Sequence, residues 1–149
     1  MAPFIPLAGS AARFQPVWVD DVATAIVTCL DKLDSIDQTY ECAGPGVFTL
    51  SQLVHLAGEW SGHDRPQFGL PNALARLQAL AMELLPGVPL MSRDNLDSMR
   101  VANVASGQVP GLAALGITPT ALEAVAPGYL GANFGRARLE RWRAGAGRD

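Results

Sequence analysis

Gln15-Pro16-Val17-Trp18-Val19-Asp20-Asp21-Val22-Ala23 is the stretch that decides the fold of this chain. Residues 17–19 favour extended structure and follow a proline, so they predict a short strand. The acidic pair behind them predicts a helix start, with Asp20 or Asp21 as the N-cap. Apolar residues then recur at the spacing of one helical face, at Val22, Ala25, Ile26, Cys29, Leu30 and Leu33. The stretch therefore predicts a strand that leads directly into an amphipathic helix.

Similar signals of strand, turn and helix flank this stretch on both sides. Residues 4–7 predict a short edge strand between two prolines, and residues 39–43 predict a strand that the turn Gly44-Pro45-Gly46 ends. Thr49 and Gln52 have the spacing of a capping box, which predicts a helix that stops at Gly62.

The second half of the chain reads as mainly helical. A short extended piece surrounds Phe68, and Asn72 is a candidate cap for a helix over residues 73–85 that is apolar on several sides and should be buried on more than one. Ser92 or Asp94 caps a shorter helix through Met99. The pair Thr118-Pro119 predicts the start of a last helix, which Pro127 should bend or end.

Strands that alternate with helices favour parallel pairing. We therefore predict an α/β fold: a small, mostly parallel sheet with flanking helices and a helical C-terminal part. Residues 1–135 form one domain, and residues 136–149 form a basic C-terminal helix or tail.

Charge and composition limit the classes of partner. Residues 1–135 carry six Lys/Arg against twelve Asp/Glu, whereas residues 136–149 carry five against two. Five arginines are a small basic patch, so a solvated terminal helix is favoured over contact with nucleic acid or an anionic membrane. No stretch approaches eighteen uninterrupted apolar residues, which predicts no integral membrane segment and a cytoplasmic protein. Cys29 and Cys42 both read as buried small hydrophobic residues and not as a disulfide.

The candidate catalytic patterns are weak, and each has a structural explanation. The Gly44-Pro45-Gly46 turn before a helix invites comparison with a dinucleotide-binding turn, but a third glycine is missing and Thr49 stands in its place. The pair Asp20-Asp21 is better explained by helix capping than by acid/base catalysis. His55 and His63 have no metal ligands at suitable spacing, so we predict no metal site and assign no catalytic residue.

The opening stretch resembles the strand-to-helix motif in the C-terminal half of the NAD-dependent epimerase/dehydratase family, the extended and atypical short-chain dehydrogenases/reductases. Tyr40-Glu-Cys-Ala-Gly-Pro followed by Thr49-Leu-Ser-Gln-Leu resembles the next strand, turn and helix of that family. Asn103-Val-Ala and Leu115-Gly-Ile-Thr-Pro resemble its terminal segment. Gln15-Pro-Val and Ser92-Arg-Asp-Asn-Leu-Asp-Ser-Met are most similar to the atypical branch that includes the accessory NAD(P)H-binding subunit of respiratory complex I and its bacterial relatives.

The resemblance covers only the C-terminal part of the family. It implies an NAD(P) cofactor for the longer parent protein, bound by an N-terminal Rossmann domain that this chain lacks, and no cofactor for this chain alone. Family members also use a Tyr-x-x-x-Lys pair, but the only lysine here is Lys32 and the residue four before it is Thr28. Sugar-nucleotide epimerases place an arginine just before the matching strand; Phe14 stands there instead, with Arg13 one residue earlier. The chain alone is therefore not expected to transfer hydride.

The resemblance implies Arg13, Gln15 and Arg93 as residues that line the substrate cleft between the two domains. The main hypothesis is a substrate-binding portion of an NAD(P)-dependent oxidoreductase or epimerase that takes a small-molecule substrate. The alternative is a non-catalytic interaction or assembly module of the complex I accessory-subunit type, and a third hypothesis is a free-standing binder of a small ligand. If the N-terminal half is missing from this chain, the faces that would pack on it are exposed, which predicts a homodimer.

Overall fold

The computed structural model describes residues 4–84 and 92–131 as a set of short strands and five helices. The elements in these ranges are β1 (Ile5–Leu7), β2 (Arg13–Phe14), α1 (Val19–Asp31), β3 (Phe48–Thr49), α2 (Leu50–Ser61), β4 (Gln67–Gly69), α3 (Asn72–Glu83), α4 (Arg93–Ser98) and α5 (Leu122–Leu130). Two 3-10 turns, Leu33–Ser35 and Leu112–Leu115, complete the list. The predicted basic segment 136–149 lies outside the described residues.

The strands form two separate pairs. β1 and β4 are parallel, with Ile5 opposite Gln67 and Leu7 opposite Gly69. β2 and β3 are antiparallel, and single parallel bridges join Phe14 to Asn103 and Glu41 to Gly111. The α/β class with a small parallel sheet and flanking helices is thus confirmed. The antiparallel pair was not predicted.

The opening stretch does not form the strand that the β-propensity of residues 17–19 predicts. Residues 17–19 form no strand, because α1 already begins at Val19 with Trp18 as its N-cap. Neither aspartate caps this helix: Asp20 is exposed in the first turn, and the side chain of Asp21 binds another part of the chain. The predicted strand 39–43 is reduced to the single bridge at Glu41.

α2 follows the sequence signal closely. Gln52 Oε1 accepts a hydrogen bond from the Thr49 backbone N–H at 2.7 Å, and Thr49 Oγ1 accepts one from Gln52 N at 3.2 Å. These reciprocal bonds confirm the predicted capping box. Gly62 ends the helix in the left-handed conformation, with φ 71°.

Two of the three helices of the second half start at other residues than predicted. Pro71, not Asn72, is the N-cap of α3. α5 begins at Leu122 and not behind Thr118-Pro119, and Pro127 lies inside the helix without ending it. The prediction that Ser92 caps α4 is confirmed, since its hydroxyl accepts from Asn95 N at 3.2 Å.

α3 is not buried on more than one side in this structure. Its buried residues are the small Ala75 and Ala79, whereas Leu74 and Leu77 are 53% and 62% exposed. The periodicity detects an apolar helix, but it does not reveal which of its faces finds a partner within the chain.

The packed core is small and lies between α1 and the second 3-10 turn. Ala25, Leu112 and Leu115 are buried there, and the residues Val17, Cys29, Tyr40 and Ile117 pack around them. Cys29 is half-buried, but Cys42 is exposed, which corrects the prediction that both are buried; both thiols are free.

Next to the residues of α1 that pack in this core lies a second set of apolar residues, which is exposed. Val19, Ile26, Val27 and Leu30 form this set at helical spacing, and they are 65%, 58%, 57% and 81% exposed. Leu33 and Ile36, in and directly after the following 3-10 turn, are also exposed, at 82% and 63%. We call these six residues the outer face of α1. Large apolar side chains exposed together mark a surface that is normally covered by a partner. None of the described helices is long and apolar enough to cross a membrane.

Candidate functional site

A groove of about 200 Å³ lies beside the opening stretch. One wall is the segment Glu41–Ala43 and the other is Asn103–Ala105, with Gln15 between them. We call this the Gln15 groove. It contains one of the three side chains that the sequence analysis assigned to a substrate cleft.

The carboxamide of Gln15 joins the two walls. Its Nε2 donates to the carbonyl oxygen of Gly44 at 2.7 Å, and its Oε1 accepts from the backbone N–H of Ala105 at 2.9 Å. The Gln15 backbone N–H also donates to the carbonyl of Asn103 at 3.0 Å. These bonds span 29 and 90 positions of sequence, so Gln15 organises the groove besides lining it. The carboxamide keeps one N–H and one lone pair for a ligand.

Glu41 fixes the far loop of the same groove. Its carboxylate accepts from the backbone N–H of Ser106 at 2.8 Å and from that of Gly107 at 3.1 Å. The Ser106 hydrogen bonds, followed by that of Gly107, hold the pKa of Glu41 below its ordinary value. Glu41 is therefore an ionised structural acceptor and a poor general acid. Sequence reasoning missed this role because the contact depends on a loop 65 residues away.

The chemistry of the Gln15 groove is that of a binding site. Cys42 contributes an exposed thiol, but no histidine lines the groove to act as its base, and Glu41 is already engaged. Asn103 adds a second amide side chain to the lining. These groups favour hydrogen bonding to a polar ligand over nucleophilic or acid/base catalysis.

The Gly44-Pro45-Gly46 turn does not fit a dinucleotide. Gly44 is buried, and a Cβ there would collide with the carbonyl oxygen of Pro16, so the glycine is required for close packing of the chain against itself. A Cβ at Gly46 would likewise lie 2.8 Å from the ring of Phe48. The first backbone N–H groups of α2 are occupied instead of being open to a pyrophosphate: Leu50 N donates to the Ala12 carbonyl at 2.8 Å, Ser51 N to the Ser10 carbonyl at 3.1 Å, and Gln52 N to Thr49 Oγ1 at 3.2 Å. The structural role predicted for these glycines is supported by their close packing, although the strand predicted before them does not form.

Arg13 and Arg93 do not line the Gln15 groove. Arg13 lies in β2, where its carbonyl accepts from Asn103 N at 2.9 Å, and its side chain is exposed. Arg93 opens α4 and binds Glu83 twice, through its backbone N–H at 2.7 Å and its Nε at 2.9 Å. The structure thus brings neither arginine to the groove of Gln15, and their role in substrate binding stays a prediction.

The remaining candidates of the sequence analysis have structural partners. Asp21 is buried and accepts two hydrogen bonds from Thr120, and His55 Nδ1 lies 3.1 Å from Asp64 Oδ1 at the surface. His63 Nδ1 lies 2.8 Å from the carbonyl of Ser61. Within residues 4–84 and 92–131, no three His, Cys, Asp or Glu side chains are grouped as metal ligands would be.

Comparison with known proteins finds relatives among subunits of NADH dehydrogenase (ubiquinone). The chain is 29% identical over 154 aligned residues to NADH dehydrogenase (ubiquinone) 1 alpha subcomplex subunit 9, mitochondrial, of Arabidopsis thaliana, with 93% of this chain aligned. It is 28% identical to the proteins of the same name from Rattus norvegicus and Mus musculus over 73% of its length. No protein-family model matches the chain.

This chain spans a minor part of these relatives: 38% of the Arabidopsis protein and 29% of the two rodent proteins. The relatives carry the name of the subunit type to which the sequence resemblance pointed, and that part of the resemblance is confirmed. The assignment of this chain to the C-terminal part of a longer protein stays a prediction, as does a cytoplasmic location.

Proposed function

We propose that this chain is the C-terminal portion of an epimerase/dehydratase-like protein of the complex I accessory-subunit type, and that it works by packing against a further protein part. The observation that carries this proposal is the outer face of α1. Six large apolar side chains are exposed there, while Ala25 and Cys29, on the adjacent face of the same helix, pack in the core. Such a helix has one wide apolar surface, and the described residues cover only part of it.

The low density of buried side chains supports the same proposal. Leu112 is the largest fully buried side chain among the described residues, and most other buried apolar residues are alanines. A core of this size contributes little hydrophobic free energy, so covering the outer face of α1 would add substantially to stability. The similarity to proteins that are named as subunits of an NADH dehydrogenase subcomplex also favours a role in assembly.

The partner we propose is the N-terminal Rossmann part of the parent protein, which would hold NAD(P). The first test is the coding frame upstream of Met1. A frame that continues into a strand, a Gly-x-x-Gly-x-x-Gly turn and a helix supports the proposal. If Met1 is a true start codon and the frame upstream of it is unrelated, this result counts against the proposal.

The second test uses the two parts as separate polypeptides. We expect the upstream part to co-purify with this chain at equal stoichiometry, and Ile26→Asp together with Leu30→Asp to abolish the complex because charges would be buried in an apolar contact. Leu77→Asp is the matched control, since it makes the same change at a similarly exposed site on α3. Equal loss with the control would show that the outer face of α1 is not the contact.

A second candidate function is substrate binding in the Gln15 groove. The free N–H and lone pair of Gln15, the amide of Asn103 and the exposed Cys42 favour a small polar ligand. The two functions separate by turnover in the parent protein. If the parent protein is an assembly subunit, it should bind NADPH but should not oxidise it with any carbonyl or quinone substrate. If the parent protein does oxidise NADPH, and the Gln15→Ala variant does so more slowly, the substrate-binding role is favoured.

A further inference from the structure

Two arginines from different elements meet at one carboxylate on the side of the molecule formed by α3 and α4. Arg76 Nη2 lies 2.9 Å from Asp97 Oδ1, and Arg100 Nη1 lies 3.4 Å from the same oxygen. Because both nitrogens reach a single atom, the two guanidinium groups must lie close together. One negative charge is thus shared by two positive charges.

These three side chains line a pocket of about 250 Å³, which we call the Arg76–Arg100 pocket. Its opposite wall consists of small residues of the loop between β1 and β2, Gly9, Ala11 and Ala12. Among the residues that line this pocket, Asp97 is the only acidic one. The pocket therefore carries one uncompensated positive charge and has room for a group larger than a water molecule.

The loop wall is held in place by contacts within the chain. Gly9 has φ 65°, and a Cβ at that position would lie 2.7 Å from Met99 Sδ, so the loop approaches the end of α4 closely. Ala12 N donates to the Gly9 carbonyl at 2.8 Å, and the Ala12 carbonyl accepts from Leu50 N at 2.8 Å. The pocket is preformed, which lowers the entropic cost of binding a ligand.

We propose that the Arg76–Arg100 pocket binds a phosphomonoester group. Guanidinium groups present forks of N–H donors that match phosphate oxygens, and each arginine here uses only part of its donors on Asp97. Arg76 and Arg100 are the phosphate ligands in this proposal. Asp97 positions both of them and, by its own charge, limits the affinity. The proposal does not depend on the function proposed above, because it rests on a different face of the chain.

The experiment measures binding to the full chain at low ionic strength by isothermal titration calorimetry. The probes are inorganic phosphate, phenyl phosphate, and phosphatidylcholine vesicles with and without phosphatidic acid. We expect Arg76→Gln and Arg100→Gln each to weaken phosphate binding about tenfold, the loss typical for one hydrogen bond to a charged group. Arg100→Lys keeps the charge but loses the fork, so it should bind with intermediate affinity. Circular dichroism melts establish that each variant is folded.

The Asp97→Asn variant tests whether the cluster is a ligand site or only an ion pair at the surface. Removal of the carboxylate leaves two positive charges facing the pocket, so phosphate should bind about threefold or more tightly. The control is Arg65→Gln, which removes an arginine that lines a different pocket, and it should leave phosphate binding unchanged.

Response to the soluble phosphates but not to vesicles identifies a soluble ligand; a vesicle response that requires phosphatidic acid and both arginines identifies a lipid headgroup. The proposal is overturned if the wild-type chain binds none of the probes. It is equally overturned if a folded Arg76→Gln, Arg100→Gln double variant binds phosphate as tightly as the wild type, or if Asp97→Asn leaves the affinity unchanged.

Discussion

Asp21, in the first turn of α1, accepts two hydrogen bonds from Thr120: one from the backbone N–H at 2.7 Å and one from the hydroxyl at 3.0 Å. These residues are 99 positions apart, and the contact places the segment before α5 against the start of α1. The aspartate that resembled a cap for its own helix instead satisfies donors that precede another helix.

Asp21→Asn should therefore destabilise the chain. An amide in this place retains one acceptor oxygen, so one of the two donors of Thr120 is left unsatisfied in a partly buried site, at a cost of about 1–3 kcal/mol. Urea unfolding followed by circular dichroism measures this change. Asp20→Asn is the control, because Asp20 is exposed, and it should change the free energy of unfolding by less than about 0.5 kcal/mol. Equal effects of both substitutions would contradict this role of Asp21.

Gln15→Glu tests the connection between the two walls of the Gln15 groove. The carboxylate still accepts from Ala105 N, but it presents an oxygen instead of a donor to the Gly44 carbonyl, 2.7 Å away in the wild type. We expect a loss of about 1–3 kcal/mol in the free energy of unfolding at neutral pH. Gln38→Glu makes the same change at an exposed residue and should be near neutral. A stability unaffected by Gln15→Glu would show that the connection is weak.

Gly44→Ala tests the close approach of the glycine turn to the opening stretch. A methyl group there would collide with the Pro16 carbonyl, so the chain must shift, and we expect a loss of more than about 2 kcal/mol. Gly128 in α5 has open space at its Cβ position, and Gly128→Ala should instead stabilise by about 0.5–1 kcal/mol. Thermal melts of the two variants show whether Gly44→Ala destabilises and Gly128→Ala stabilises the chain. A Gly44→Ala variant as stable as the wild type would refute the packing argument.

Acid pH should weaken the loop contacts of Glu41 and Glu83. The backbone N–H groups of Ser106 and Arg93, respectively, hold each pKa below its ordinary value of 4.5. A group whose pKa is lower in the folded state contributes its full stabilisation above the unfolded pKa, and this is lost as the pH falls through the folded pKa. The melting temperature should thus fall below about pH 4.5.

Glu41→Gln isolates one of these contributions. The difference in melting temperature between the wild type and this variant should be largest at pH 6 to 7 and should shrink as the solution is acidified below about pH 4.5. Glu59→Gln, at an exposed residue of α2, is the matched control and should show no such convergence. A difference that is constant across the pH range would exclude a role for the Glu41 charge.

The outer face of α1 predicts self-association of the isolated chain. Exposed apolar surface of this extent is expected to be buried in a dimer at high protein concentration. Sedimentation velocity should show a dimer that the Ile26→Asp, Leu30→Asp variant converts to monomer, whereas Leu77→Asp should leave it intact. A wild-type chain that stays monomeric at high concentration would contradict the prediction.

The sequence by itself determined the features that depend on residues close to one another. The capping box of α2, its stop at Gly62, the cap of α4 at Ser92 and the amphipathic character of α1 all follow from interactions within a few positions. The α/β class follows from the same local signals taken in order. Local backbone geometry and side-chain reach are sufficient to specify these elements.

Only the tertiary structure decided the contacts that join distant segments. Tyr40 reads as part of a strand but packs against the core, and Asp21 reads as a cap but binds Thr120. The positions of Gln15 between two loops and of Arg76 beside Arg100 are likewise unmarked by any spacing. The reason is physical, because a side chain binds whichever polar group the folded chain brings within about 3 Å of it. The order of residues in the sequence does not show which groups will be that close.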